Sequence, residues 1–291
     1  MAQRNIHILQ PQSLEEALEQ MLSAPHPRPL AGATVLLPSL RKSITKQQSL
    51  LALDKVLTQE IKVEECGIRI GAGATLTQLI HAPELGGSPY NLLQKALKQV
   101  ASWQIRNVAT IGGAVASGIP GLDSVSTLLA LDARVCLQSA SQKREVALKD
   151  FYIGPMQTVM DPQELITHIF LPVAPAGTWH TYFRKVGMRK AYTMPICNMA
   201  AAVQTDDTGK IKALRLTVGG CGQTSLLLHR TAAAAEGLRA AEVDLQKLEA
   251  LLQEEIHPSD SDHGSEEYKR LLCRNFLREF WQRVEEGGSE A

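Results

Sequence analysis

The chain has 291 residues, 30 basic and 30 acidic side chains and 44% hydrophobic residues, a composition that supports a packed core and, by length, about two domains. A formal net charge of zero provides no long-range field to recruit nucleic acid or an anionic membrane, so no nucleic-acid partner is expected. No run approaches the roughly 20 apolar residues of a membrane span, and Met1-Ala2-Gln3-Arg4-Asn5 lacks the apolar core of a secretion signal, which makes a cytoplasmic location the expectation.

The first predicted helix lies in QSLEEALEQMLSA, where Ser13 and Glu16 have capping-box spacing and Leu14, Ala17, Leu18, Met21 and Leu22 fall on one face. RPLAGATVLLPSLRK reads as a short strand, a small-residue turn over residues 31–34, and an apolar segment stopped or bent by Pro38. SLLALD and GIRIGAG are expected strands. Thr75 is placed to cap a helix through Leu79 and Ile80, and YNLLQKALKQVASW repeats apolar residues at helical spacing through Leu93, Leu97 and Val100. After the glycine pair of ATIGGAVASG, expected in a turn, DSVSTLLALDARVCLQS predicts a helix with Asp123 at its start, leading into a strand. ELITHIFLP is the strand that closes this half, and VAPAGT is a Pro/Gly connection that puts a domain boundary near residue 175.

Beyond it, WHTYFRKV, CNMAAAVQT and IKALRLTVGG predict a three-stranded sheet, with residues 206–209 turning between the last two strands. Three helical segments follow, in HRTAAAAEGLRAA, DLQKLEALLQEEI and SEEYKRLLCRNFLREFWQRV. Strands followed by helices make this an α+β pattern.

The five cysteines, Cys66, Cys136, Cys197, Cys221 and Cys273, are odd in number and widely spaced, and read as reduced thiols rather than bridges or cluster ligands. The eight histidines show no H-x-H or H-E-x-x-H spacing, so no metal site is expected; HPSDSDHGS reads as a polar loop before the last helix. Three stretches, LAGATVLLP, IGAGATLTQL and RNVATIGGAVASGIPGLDS, place glycine, alanine and threonine where the chain turns. Two such loops facing each other can present backbone N–H groups to a pyrophosphate without a lysine; the competing reading is that they are simply tight turns. GAGATL has Leu76 where a dinucleotide fingerprint wants glycine, and neither G-x-x-x-x-G-K-[ST] nor G-x-S-x-G occurs.

In this order, LAGATVLLPSL, GIRIGAGATLTQLI, QIRNVATIGGAVAS, LDSVSTLLALDARV, ELITHIFLP, FRKVGMRKAYTMPICNMAAAV and GSEEYKRLL resemble the FAD-binding medium subunit of the molybdenum hydroxylases, the carbon monoxide dehydrogenase and xanthine dehydrogenase enzymes, over nearly the whole chain. The resemblance implies an α+β fold: a two-part FAD-binding domain of the vanillyl-alcohol-oxidase (PCMH) type over residues 1–174, with subparts of about 1–55 and 56–174, then a C-terminal α+β domain over 175–291 with a three-stranded sheet and helices. It implies FAD as the cofactor, held at its pyrophosphate by Ala31, Gly32, Ala33, Thr34, Val35, Leu36 and Leu37 and by Thr110, Ile111, Gly112 and Gly113, mainly through backbone N–H groups.

The same resemblance implies a cofactor contact for Asp123, with a structural helix cap as the alternative, and an aliphatic contact from Leu165 or Ile166, with a core role as the alternative. Lys185 is implied near the isoalloxazine ring, where a cation tunes the flavin; no other catalytic residue is implied. Arg106 and Asn107 are expected to brace the glycine loop. The chain departs from the family pattern at Ala33, Val35 and Ala114, where glycine, aspartate and asparagine are usual, and at Val100, where some members stack an aromatic ring and Trp103 is the nearby substitute.

The function implied is that of an electron-transfer subunit of a multi-subunit oxidoreductase, working within a complex. The molybdenum-pterin cofactor and the iron-sulfur clusters are then expected on a large and a small partner subunit, with NAD one acceptor. A flavin-free subunit scaffolding the same complex and a stand-alone flavin oxidoreductase are the alternatives.

Overall fold

The structure is a computed structural model, and it describes residues 6–23, 27–42, 48–188 and 194–286. The first region interleaves β1 (Ile6–Leu9), α1 (Leu14–Ser23), β2 (Arg28–Leu30), α2 (Leu36–Lys42) and β3 (Gln48–Ala52), giving a parallel sheet of order β1-β3-β2. α1 starts where Ser13 Oγ accepts from the Glu16 amide at 3.1 Å, while Glu16 reaches back to the Gln12 amide at 2.7 Å. Its stripe of Ala17, Leu18 and Met21 packs on Leu51 and Leu53. Pro38 does not stop the apolar segment: it is the third residue of α2, inside the first turn, where proline is tolerated.

The second region is built on an antiparallel sheet of order β4-β5-β10-β6-β7, made of β4 (Ile61–Glu64), β5 (Gly67–Gly71), β6 (Arg134–Gln138), β7 (Lys143–Ala147) and β10 (Leu165–Pro172). A small hairpin pairs β8 (Tyr152–Gly154) with β9 (Gln157–Thr158). Between β5 and β6 the chain makes α3 (Leu76–His81), α4 (Asn91–Leu97), α5 (Trp103–Arg106), α6 (Ile111–Ala116) and α7 (Asp123–Ala130). Thr75 caps α3 with a complete capping box to Gln78. The apolar repeat through Val100 breaks after Leu97, and Ala101, at φ +40°, turns the chain into α5 under the Ser102 cap.

The third region is a four-stranded antiparallel sheet, β11 (Thr178–Gly187), β12 (Pro195–Thr205), β13 (Ile211–Gly219) and the short β14 (Leu226–Leu227). The expected three strands are thus joined by a fourth, only two residues long, too short to show a period in sequence. α8 (His229–Ala233), α9 (Leu245–Glu255) and α10 (Glu266–Glu285) follow, with Asp244 and Ser265 capping the last two.

β12 explains how the regions join. Its inner residues are buried without exception, so its two faces serve two cores. Ala200 and Ala202 face the core of the second region, while Cys197, Met199, Ala201 and Val203 face the helices of the third. Alanines on the first face let α7 approach, and Thr217 Oγ1 on β13 donates to the Ser126 carbonyl of α7 at 2.8 Å. No helix among the described residues is long and apolar enough to cross a membrane.

Candidate functional site

Three backbone segments meet at one edge of the second region. After β2, residues 31–35 approach residues 108–109 so closely that a Cβ on Gly32 would strike the Val108 carbonyl. From the β5 end, the Ile111 and Gly112 amides donate to the carbonyls of Ala74 and Ala72 at 2.9 and 3.0 Å, and Leu76 N–H donates to Ala109 O at 2.9 Å. A Cβ on Gly112 would lie 2.6 Å from the Ala72 methyl. Glycine and alanine recur in these stretches because the three segments interlock through their backbones.

The glycine pair does not form a turn. Gly112 and Gly113 lie in the first turn of α6, whose cap Thr110 accepts the Gly113 amide on its Oγ1 at 3.1 Å. The amides of Ile111, Gly112 and Gly113 all have acceptors within the protein.

Residues 33–36 are different. Ala33 has φ +59°, the left-handed region, and the chain then turns through Thr34 and Val35 into α2. The amides of Ala33, Thr34, Val35 and Leu36 meet no acceptor among the described residues, while Leu37 and Ser39 N–H close the helix onto Ala33 and Val35. A left-handed residue followed by a turn curves successive N–H groups into one concavity, which suits an anion. Val35, Leu37, Trp103, Ile105 and Val108, from this loop and its neighbour, are exposed, so the donors sit beside apolar surface suited to the flat rings of a nucleotide or a flavin. These features fit FAD: amide donors for the diphosphate, small side chains to let it approach, apolar walls for the rings.

Arg106 and Asn107 brace other parts. Arg106 Nη1 donates to the carbonyls of Val100 and Ala101 at 2.6 and 3.1 Å, holding the turn before α5, and Asn107 Oδ1 accepts from Thr77 Oγ1 at 2.7 Å.

Asp123 and Lys185 are brought together. Lys185 Nζ, on β11, lies 2.6 Å from Asp123 Oδ2 and also donates to the Gln99 carbonyl at 3.0 Å; the side chains are 8% and 2% exposed. Asp123 is the first residue of α7 but caps nothing, its carboxylate being turned away to the ion pair. Asn198 completes the cluster: its Nδ2 donates to Asp123 Oδ1 at 2.7 Å and to the Gly121 carbonyl at 2.9 Å. Burial pushes the Asp123 carboxyl above the usual aspartate range, with the Lys185 ammonium and the Asn198 amide pulling it back. Asn198 escapes a sequence reading because nothing in CNMAAAV marks one inward polar residue as a partner of a carboxylate 75 positions away.

Leu165 and Ile166 are core residues. Leu165, 2% exposed, packs with Leu18, Met21, Leu51 and Leu53; Ile166, 5% exposed, lies in the core of the second region. Neither side chain has surface to offer a ligand.

A parallel α+β region, an antiparallel one and a third α+β region joined to the second through α7 and the β11–β13 sheet make the architecture of an FAD-binding flavoprotein subunit. The chain belongs to the family described as the FAD binding domain in molybdopterin dehydrogenase, which matches residues 4–174, and residues 182–284 match the CO dehydrogenase flavoprotein C-terminal domain. It is 28% identical to the glyceraldehyde dehydrogenase medium chain of Sulfolobus acidocaldarius, over 90% of this chain and 92% of that one. It is 30% identical to the nicotinate dehydrogenase FAD-subunit of Eubacterium barkeri, over 86% and 84%. The fold superposes on a chain of reconstituted CO dehydrogenase from Oligotropha carboxidovorans with a TM-score of 0.90 at 25% identity, covering 98% of this chain and 99% of that one.

Proposed function

We propose that this chain is the electron-transfer subunit of a molybdenum-containing hydroxylase or dehydrogenase, taking electrons from an iron-sulfur subunit and passing them to an acceptor such as NAD. The carrying observation is the loop at residues 33–36, where four amides lack an acceptor among the described residues and Ala33 is left-handed, a conformation that curves successive N–H groups together. When bound, FAD accepts electrons singly and delivers them as a pair, the chemistry a junction between clusters and a hydride acceptor needs.

The chain's own work is binding and positioning. The amides of Ala33, Thr34, Val35 and Leu36 hold the diphosphate, with Ala31, Gly32 and Leu37 shaping the loop. Val108 and Ala109 form the wall against which that loop is set, and Thr110, Ile111, Gly112 and Gly113, which follow them, fix that wall to residues 72–74. Asp123, Lys185 and Asn198 lock α7 to the third sheet; in this reading Lys185 tunes the flavin electrostatically, while Leu165 and Ile166 serve only to pack β10 into the cores. The cofactor-binding part takes in residues 1–174 and the C-terminal part 175–291, a division supported by β10 ending at Pro172 and β11 beginning at Thr178.

The proposed partners are a large chain holding the molybdenum-pterin cofactor and a small cysteine-rich chain holding iron-sulfur clusters. The names of the relatives, a medium chain and an FAD-subunit of dehydrogenases, support this reading. The test is a visible absorption spectrum of the purified chain with chromatography of heat-released flavin, then capture of partners and assay of NADH against the flavin. One FAD per chain and co-purification with the two partners are expected. A chain that stays colourless with added FAD, alone and with its partners, overturns the reading in favour of a scaffold; turnover of a substrate by the chain alone overturns the need for partners.

A further inference from the structure

The cysteines that look isolated in sequence are not all isolated in the fold. Cys197 enters on β12, Cys221 follows the end of β13, and Cys273 lies in α10; their sulfurs are 3.3 Å (197–221), 3.4 Å (197–273) and 3.3 Å (221–273) apart. All three are fully buried and none forms a disulfide. Three thiols facing one point, drawn from a strand, the loop after its neighbour and the helix packed on the sheet, form a near-equilateral triangle of soft donors.

We infer that Cys197, Cys221 and Cys273 form a binding site for one soft monovalent cation of the Cu(I) type. A triangle with these edges has its corners about 1.9 Å from its centre, so an ion at a metal–thiolate bond length of about 2.3 Å stands about 1.3 Å off the sulfur plane, a pyramidal position. Opening each edge by roughly 0.6 Å would bring it into the plane, a shift within reach of side-chain rotation. Thiolate sulfur selects soft ions. A tetrahedral Zn²⁺ site needs a fourth donor, and among the described residues no His, Asp or Glu joins the three thiols. Three thiols give up three protons to one such ion, leaving a net charge of −2 at the site. Lys269, one turn before Cys273 on the same face of α10, is buried with its Nζ on Ser259 O and Ser261 Oγ at 2.7 and 3.1 Å, and supplies nearby positive charge with Arg270. The ion would tie β12 and the end of β13 to α10, far from the loop at 33–36 in the chain and independent of flavin.

The test uses the full chain carrying Cys66→Ser and Cys136→Ser, reduced and kept anaerobic, titrated with Cu(I) delivered as its acetonitrile complex against a chromophoric Cu(I) chelator. One Cu(I) per chain, three sulfur neighbours by X-ray absorption and a raised Tm are expected, with an affinity loss of about 100-fold on adding Cys221→Ser. The absorption spectrum of the intact trio does not depend on whether that variant folds. No binding beyond that of a chain lacking all five cysteines overturns the site. So does a two-sulfur neighbourhood, or mass spectrometry showing two of the three thiols already joined as a disulfide in the isolated chain.

Discussion

The loop at residues 33–36 and the cluster around Asp123 are built on opposite plans. In the loop, four amides meet no acceptor among the described residues and lie beside exposed apolar side chains. In the cluster, a carboxylate, an ammonium and an amide are closed on one another between α7 and the third sheet, at 2.6 and 2.7 Å. The first leaves its donors open; the second closes its charges within the protein. A single substitution should therefore damage the second far more than the first.

The largest effect is expected from Lys185→Met. It leaves the Asp123 carboxylate buried without its cation, a change that typically costs about 3–5 kcal/mol, read as a Tm lower by roughly 10 °C for a chain of this size. Adding Asp123→Leu should restore most of the loss, since two apolar residues of similar volume replace a buried pair at little cost. If the single variant melts like the wild type, the pair is not closed in solution. The pair also sets a pH dependence. Asp123 is held above its ordinary value of 3.8, so the folded chain keeps its proton more firmly than the unfolded chain. The stability this contributes is full below the ordinary value and is lost as pH climbs through the raised one. In Lys185→Met the carboxyl rises further, so the penalty of that variant should shrink on acidification. A penalty that grows instead would reverse the assignment.

Next in size is a contrast between adjacent glycines. Gly112→Ala puts a methyl 2.6 Å from the Ala72 methyl and 2.8 Å from its carbonyl oxygen, an overpacking that costs about 1–3 kcal/mol. Gly113→Ala meets only the Thr110 hydroxyl, at 2.9 Å, and gains helix propensity, so it should stay within about 0.5 kcal/mol of wild type. Equal losses in urea unfolding would show that the interlock with residues 72–74 is not what keeps residue 112 a glycine.

These contrasts mark how far the sequence could be read. Thr75, Ser13 and the alternation in WHTYFRKV and IKALRLTVGG carry local signals, and the helices and strands they predict are present. The α+β class and the FAD-binding family were legible because the small-residue stretches keep their order along the chain. What stayed hidden depends on contacts distant in sequence. The glycine pair reads as a turn until the Ala72 carbonyl and the Thr110 hydroxyl are seen to take its amides and leave it helical. Asp123 reads as a cap until Lys185, 62 positions on, turns its carboxylate inward. Three cysteines 24 and 52 residues apart have no metal spacing, yet a strand end, a loop and a helix converge their sulfurs. The cores hid Leu165 and Ile166 in another way: an aliphatic strand residue looks the same against a flavin and against Leu18.

The smallest effect belongs to the open loop, and it separates conformation from contact. Ala33 sits at φ +59°, which costs a residue with a Cβ about 1–2 kcal/mol, whereas glycine adopts it freely but gives up about 0.5–1 kcal/mol of chain entropy. Ala33→Gly should thus stabilise the chain by about 0.5 kcal/mol, with FAD affinity held or slightly tightened because the four amides keep their curvature. Ala33→Val asks a β-branched residue to hold the same conformation, a far rarer state. It should flatten the loop and weaken FAD binding by about tenfold, a loss of roughly one charge-assisted hydrogen bond, while the Tm of the flavin-free chain moves by only a degree or two because Lys185 and Asp123 are untouched. If Ala33→Val lowers that Tm as much as Lys185→Met does, the loop is part of the frame rather than a surface shaped for a ligand, and the two regions are built on one plan after all.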